Sequence, residues 1–243
     1  MDMPDFRLLE ERLGHHFRDQ SLLLQALTHR SYLNEHSDFS YEHNERLEFL
    51  GDAILELIVT EHLYRTYANP EGDLTNWRAA LVNAKTLASI GQDLKFEDNL
   101  LLSKGEARDK DSKARMYILA NAMESLIGAI YLDGKMEAAE KFIQAHILIH
   151  LPRILELELY RDAKSKFQET AQELLGITPT YRVLEETGPD HQKQFTVGVY
   201  LNHELVASGN GTSKQEAQTA AADAGLDAKQ WRTVKTANSA KTE

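Results

Sequence analysis

The chain has 243 residues, 42% of them hydrophobic, enough for one large domain or two smaller ones with true cores. It has no cysteine, which excludes disulfides, thiolate zinc sites and cysteine nucleophiles together. The net charge of −11 opposes the basic excess usual in a simple nucleic-acid binder, and no apolar stretch approaches the ~20 residues that span a bilayer.

Met1 to Phe6 lacks a basic region followed by an apolar run, so no secretory signal is expected, and a cysteine-free chain suits a reducing cytoplasm. The first ~155 residues read as successive helices. Phe6 to Leu13 begins one, and Ser21 is a plausible cap for a second through Leu27. A long helix is expected from His43 to Tyr67, ended by Asn69-Pro70-Glu71-Gly72-Asp73. Thr75 is placed as the cap of the next helix, and Lys104 to Lys113 reads as an exposed charged loop. Tyr117 to Leu132 is strongly apolar and reads as a central buried helix, followed by a last one over Ala138 to Leu151.

The pattern changes after Tyr160. Ala163 to Leu175 is amphipathic and stops at Gly176, a natural helix end. Three strand-like runs follow at 180–184, 194–201 and 204–209, with Asn202-His203 as a hairpin. Ser213 to Lys229 closes as an alanine-rich helix. The expected boundaries are a helical domain over 5–155, a linker over 156–162, an α-β-β-β-α domain over 163–231 and a polar tail over 232–243.

The segment His43-Asn44-Glu45-Arg46-Leu47-Glu48-Phe49-Leu50-Gly51-Asp52 carries the chemistry. Glu45, Glu48 and Asp52 are three and four apart, so a helix puts them on one face. Leu47, Leu50, Ile54, Leu57 and Ile58 form an apolar stripe expected to pack inward. Like charges at these spacings cost about 0.2–0.5 kcal/mol per pair, and a divalent cation with oxygen ligands is the simplest offset. A solvated acidic face is the plainer reading. Glu124 is a further charge in a run that is apolar on almost every face, and an unpaired carboxylate there needs a partner. From the residues alone that partner is a buried arginine such as Arg46 or Arg78.

Asn44-Glu45-Arg46-Leu47-Glu48-Phe49-Leu50-Gly51-Asp52 resembles the signature segment of the ribonuclease III family, endonucleases that cut double-stranded RNA. The helix carrying Leu119 to Asp133 resembles the family's second active-site segment. The resemblance covers nearly the whole chain. It implies an all-α endonuclease domain followed by a double-stranded-RNA-binding domain, acting as a homodimer on duplex RNA in the cytoplasm. It implies Mg²⁺, with Mn²⁺ able to substitute, held by Glu48, Asp52, Asn121 and Glu124, with Asp52 and Glu124 catalytic. Glu45 and Glu71 match positions thought to serve outside the first ion, at a second ion or at RNA. Phe49 matches an aromatic that packs into the partner subunit, with ordinary core as the alternative, and His29 matches a segment that reads as structural.

The C-terminal resemblance places RNA contacts at Gln168 and Glu169, at His191, and at Gly211, Ser213 and Lys214. Two positions depart from the family. Asn121 stands where many members carry Asp, removing a negative charge, and Gln215 follows Lys214 where a second lysine is usual. The implied activity is cleavage of duplex RNA to 5′-phosphate and 3′-hydroxyl ends, in processing of rRNA and mRNA precursors. The departures and the acidic balance leave a rival: a duplex-binding dimer with weak or lost cleavage.

Overall fold

The computed structural model describes residues 4–109, 112–158, 160, 162–189 and 193–232. The chain divides into two compact units, Met1–Ile154 and Leu155–Glu243.

The first unit is helical. It comprises α1 (Arg7–Leu13), α2 (Gln20–Leu27), α3 (Arg30–Glu35), α4 (Glu45–Thr66), α5 (Glu71–Val82), α6 (Ala84–Asp93), α7 (Lys104–Arg108) and α8 (Lys113–His146). A short 3₁₀ turn at Leu148–His150 then leads into α9 (Leu151–Glu156). Side-chain caps set several starts: Asn83 accepts from the Thr86 amide, Ser103 from Glu106 and Ser112 from Arg115.

Four expectations shift. The cap of α2 is Asp19, which accepts from the Ser21 amide, because Ser21 already lies inside the first turn. Helix α5 begins at Glu71, with Pro70 just outside it, so Thr75 is an interior residue. The first part of the charged segment, Lys104–Arg108, forms α7, which Ser103 caps. The last helix, expected to run to Leu151, ends at His146, while the break expected before it falls at Lys135, whose backbone is non-helical (φ 61°, ψ −166°).

Helices α4 and α8 form the centre of this unit. Two glycines bring their backbones together. A Cβ built at Gly51 would lie 1.7 Å from the Glu124 carbonyl oxygen, and one at Gly128 would lie 2.4 Å from that of Leu47. Such contact forbids any side chain at either position. Leu47, Ile54, Leu55, Ile58, Val59 and Leu63 of α4 are buried, as are Leu119, Met123, Leu126, Ile127 and Ile130 of α8. Leu57, expected in the core stripe, is exposed instead, since residues 54, 55, 58 and 59 already fill the inward arc.

The second unit is α10 (Ala163–Leu175), β1 (Thr180–Thr187), β2 (Gln194–Leu201), β3 (Glu204–Gly211) and α11 (Lys214–Ala228). The strands pair antiparallel in the order β1-β2-β3. Asp162 caps α10, and Gly176 ends it in the left-handed region. Alternation along β2 turns Phe195, Val197, Val199 and Leu201 inward, where the last two meet Phe167, Ala221, Leu226 and Trp231. Gly209 lets β3 touch α11: a Cβ there would lie 2.2 Å from the Ala221 amide nitrogen.

Candidate active site and RNA-binding surface

The α4–α8 contact assembles the acidic residues. Glu45, Glu48 and Asp52 occupy successive turns at the start of α4, and Asn121 and Glu124 lie on the facing helix. Asp52 and Glu45 are exposed, whereas Glu48, Asn121 and Glu124 are half-buried. Burial, then the charges of Asp52 and Glu48, pushes the Glu124 carboxyl up to about 7. Glu48 is also raised, first by burial and then by Glu45, against a lowering hydrogen bond from the Asn121 side chain. A carboxylate only accepts, so the Asn121 amide nitrogen is the donor.

The arginine alternative for Glu124 fails. Arg46 pairs with Glu42 at 3.7 Å, and Arg78 bonds Thr60 at 3.0 Å and lies 3.7 Å from Glu56. Among the described residues no cation pairs with Glu124. Like charges separate, and among the described residues no three His, Asp or Glu side chains are gathered tightly enough to grip an ion as they stand. The chemistry of the groups present, the carboxylates of Glu48, Asp52 and Glu124 and the amide carbonyl of Asn121 on two packed helices, is of the oxygen-donor kind that suits a hard divalent cation.

The outer acids are engaged differently. Glu45 is held by Arg30 at 3.2 Å, with His43 at 3.8 Å. Glu71, in the first turn of α5, accepts from the Thr75 hydroxyl at 3.0 Å and lines a cleft of about 690 Å³ with Tyr64, Tyr67 and Arg78. His29 caps α3, its ring 2.8 Å from the Ser31 hydroxyl, which is a structural role.

Phe49 is 81% exposed, which removes the core alternative. Leu57 and Tyr64, at 54% and 78%, lie within the same arc of α4. This outward stripe was not singled out from the sequence. Its signal is that Leu57 and Tyr64, seven apart, are nearly two whole turns from each other, and Phe49 lies within roughly 80° of both, on a face other than the buried one.

In the second unit Gln168 is exposed and Glu169 partly so on α10. Ser213 caps α11 by accepting from the Glu216 amide at 3.1 Å, while the Glu216 carboxylate accepts from the Thr212 amide and hydroxyl at 3.0 and 2.6 Å. Lys214 is exposed, with its ammonium 5.6 Å from the centre of the Phe195 ring. Gly211 is buried, and a Cβ there would lie 2.6 Å from the Ala217 amide nitrogen, so the close approach it permits is to α11. His191 lies outside the described residues.

Comparison with known proteins gives the same division. Residues 19–151 match the Ribonuclease-III-like family model, and 163–228 match the double-stranded RNA binding motif. Ribonuclease 3 of Carboxydothermus hydrogenoformans is 44% identical over 229 residues, covering 93% of this chain and 97% of that protein. Ribonuclease 3 of Protochlamydia amoebophila is 43% identical, with 88% of each chain covered. The nuclease domain of ribonuclease III from Campylobacter jejuni superposes with a TM-score of 0.55 at 40% identity, covering 61% of this chain and 99% of that one. That domain is described as having structural flexibility in a region involved in dimer formation.

Proposed function

The chain belongs to the ribonuclease III family of endoribonucleases, and from that premise we propose that it cuts duplex RNA with Mg²⁺, or Mn²⁺ in its place, at the acidic site between α4 and α8. Glu48 and Asp52 of α4, with Asn121 and Glu124 of α8, would hold the ion. One observation carries this reading: Glu124 is half-buried, faces two other carboxylates and has no cationic partner among the described residues. An arrangement so costly to the free protein makes sense as a ligand set. A divalent cation bound there supplies Lewis-acid activation of water and stabilises the leaving oxygen.

The chain's own residues do the remaining work. Glu124 must lose its proton to act as a ligand, so ion binding is coupled to proton release. Asn121 holds Glu48 by an amide hydrogen bond and contributes no charge of its own. Asp52, exposed beside Gly51, is open to an approaching phosphodiester. Water attacks phosphorus and the bond to the 3′ oxygen breaks, leaving 5′-phosphate and 3′-hydroxyl ends. Glu45 and Glu71 lie outside this set and would contact RNA or a second ion.

The second unit would supply duplex affinity. Gln168 and Glu169 on α10 suit 2′-hydroxyls, and Ser213 and Lys214 at the start of α11 suit phosphate. One site cuts one strand, so double-strand scission needs two, and the exposed Phe49–Leu57–Tyr64 stripe suits a two-fold pairing of like chains. Structured rRNA and mRNA precursors in the cytoplasm are the natural substrate class. The test is cleavage of a long RNA duplex with and without Mg²⁺, with Glu124→Gln alongside. Mg²⁺-dependent cutting that vanishes in the variant is expected; binding without cutting under every condition would favour the duplex-binding rival.

A further inference from the structure

Gly51 and Gly128 set how closely α4 and α8 lie. A contact of bare backbones is smooth, however, and does little to stop one helix sliding along the other. The two halves of the acidic site sit on these different helices, so their separation depends on that axial register. The packed side chains around the glycines contribute to that register, and a directional bond across the interface would fix it further.

Ser125 is the neighbour of Glu124 and is 0% exposed, among apolar residues where an alanine would pack as well. A hydroxyl there is costly unless bonded. Its Oγ lies 2.8 Å from the Asn121 carbonyl of its own helix and 3.1 Å from the Asn44 carbonyl across the interface, sharing one proton between them. Asn44, 2% exposed, is held in turn. Its amide donates to the Thr28 carbonyl at 2.9 Å, its side chain donates to the Ala26 carbonyl at 3.3 Å, and its carbonyl accepts the Glu48 amide at 2.9 Å. One oxygen atom thus joins the backbone of Glu48 to the residue beside Glu124.

We propose that Ser125 and Asn44 form a positioning clamp that sets the register of α4 against α8, and through it the spacing of Glu48 and Asp52 from Asn121 and Glu124. The clamp rests on the ion-site reading above. Neither residue faces the ion or the substrate; both act through the carboxylates they place. A cation that demands near-ideal octahedral geometry is sensitive to a slip of a fraction of an ångström.

Mn²⁺ binding to the full chain, followed by electron paramagnetic resonance of the free ion, tests this in wild type, Glu124→Gln, Ser125→Ala, Ser125→Thr and Ser125→Val. Threonine and valine match in size and differ in the hydroxyl, so any crowding affects both. Ser125→Ala and Ser125→Val are expected to weaken Mn²⁺ binding about tenfold, with Ser125→Thr within about twofold of wild type. Cleavage by the first two should lose kcat with KM for duplex RNA unchanged. Ser125→Ala binding Mn²⁺ like wild type, or Ser125→Val like Ser125→Thr, while Glu124→Gln binds poorly, overturns the clamp and leaves the ion site standing. Equal binding by wild type and Glu124→Gln overturns both.

Discussion

Glu124 concentrates the energetics of the site in one residue. Its carboxyl is pushed from an ordinary 4.5 up to about 7, by burial first and then by Asp52 and Glu48. Between those values the native state holds a proton that the unfolded chain has released. Stability in chelator therefore falls as pH rises from about 4.5 to about 7 and levels off above. The group is only half-buried, so the loss is about 1–2 kcal/mol after discounting for solvent. Glu124→Gln should then melt higher than wild type in EDTA at pH 8, with the gap closing near pH 4.5. Thermal melts at the two pH values check this, and equal melting at pH 8 would refute the burial argument. Cleavage has the opposite sign: it should rise with pH through about 7, because in the proposed site the ionised carboxylate is the ligand. Asn121→Asp restores a fourth charge and should lower the Mg²⁺ concentration needed for half-maximal cleavage by about tenfold, read from a Mg²⁺ titration.

At the scale of elements, the α4–α8 contact and the kink in α8 are the sensitive features. Gly51→Ala would drive a methyl into the Glu124 carbonyl, so the helices must separate. A loss of about 3 kcal/mol in denaturant unfolding is expected, together with loss of cleavage, since the same shift parts the carboxylates. Lys135 has the opposite prospect. Its φ of 61° and ψ of −166° fall in a region essentially reserved for glycine. Lys135→Gly should stabilise the helical unit by about 1 kcal/mol, and a midpoint unchanged or lowered in urea would contradict that assignment of strain. The neighbouring Asp133 carboxylate accepts from the Arg18 and Asp19 amides at 3.0 Å, so the kink also anchors the chain entering α2.

For the whole molecule, the proposed function rests on two surfaces, one on each unit. Phe49→Asp combined with Tyr64→Asp puts charge on the exposed stripe of α4 without touching the core. Sedimentation equilibrium should report a monomer that keeps its helical signal and loses double-strand scission. A variant that stays dimeric would move the pairing surface elsewhere. On the second unit, Lys214→Ala should weaken binding evenly across duplex sequences and reduce the log–log salt slope by about one. The net charge of −11 makes such local cations matter more, because the chain as a whole carries the same sign as RNA.

Much of this was legible from residue order alone. Local rules sufficed for the helical first part, the three strands from Thr180, the Gly176 stop and the alignment of Glu45, Glu48 and Asp52, because each depends on neighbours within a few positions. They misplaced the starts of α2 and α5, since Asp19 and Pro70 act just outside the segments they cap. Local rules also could not say whether Glu124 meets an arginine or other acids, whether Phe49 and Leu57 face core or solvent, or what Ser125 bonds. Those answers belong to the crossing of α4 over α8, where residues some 75 positions apart touch. Residue order sets which chemical groups are present and which helix face each occupies. Which faces meet is set by the packing of α4 on α8, because burial and charge coupling arise when two elements remove water from the space between them.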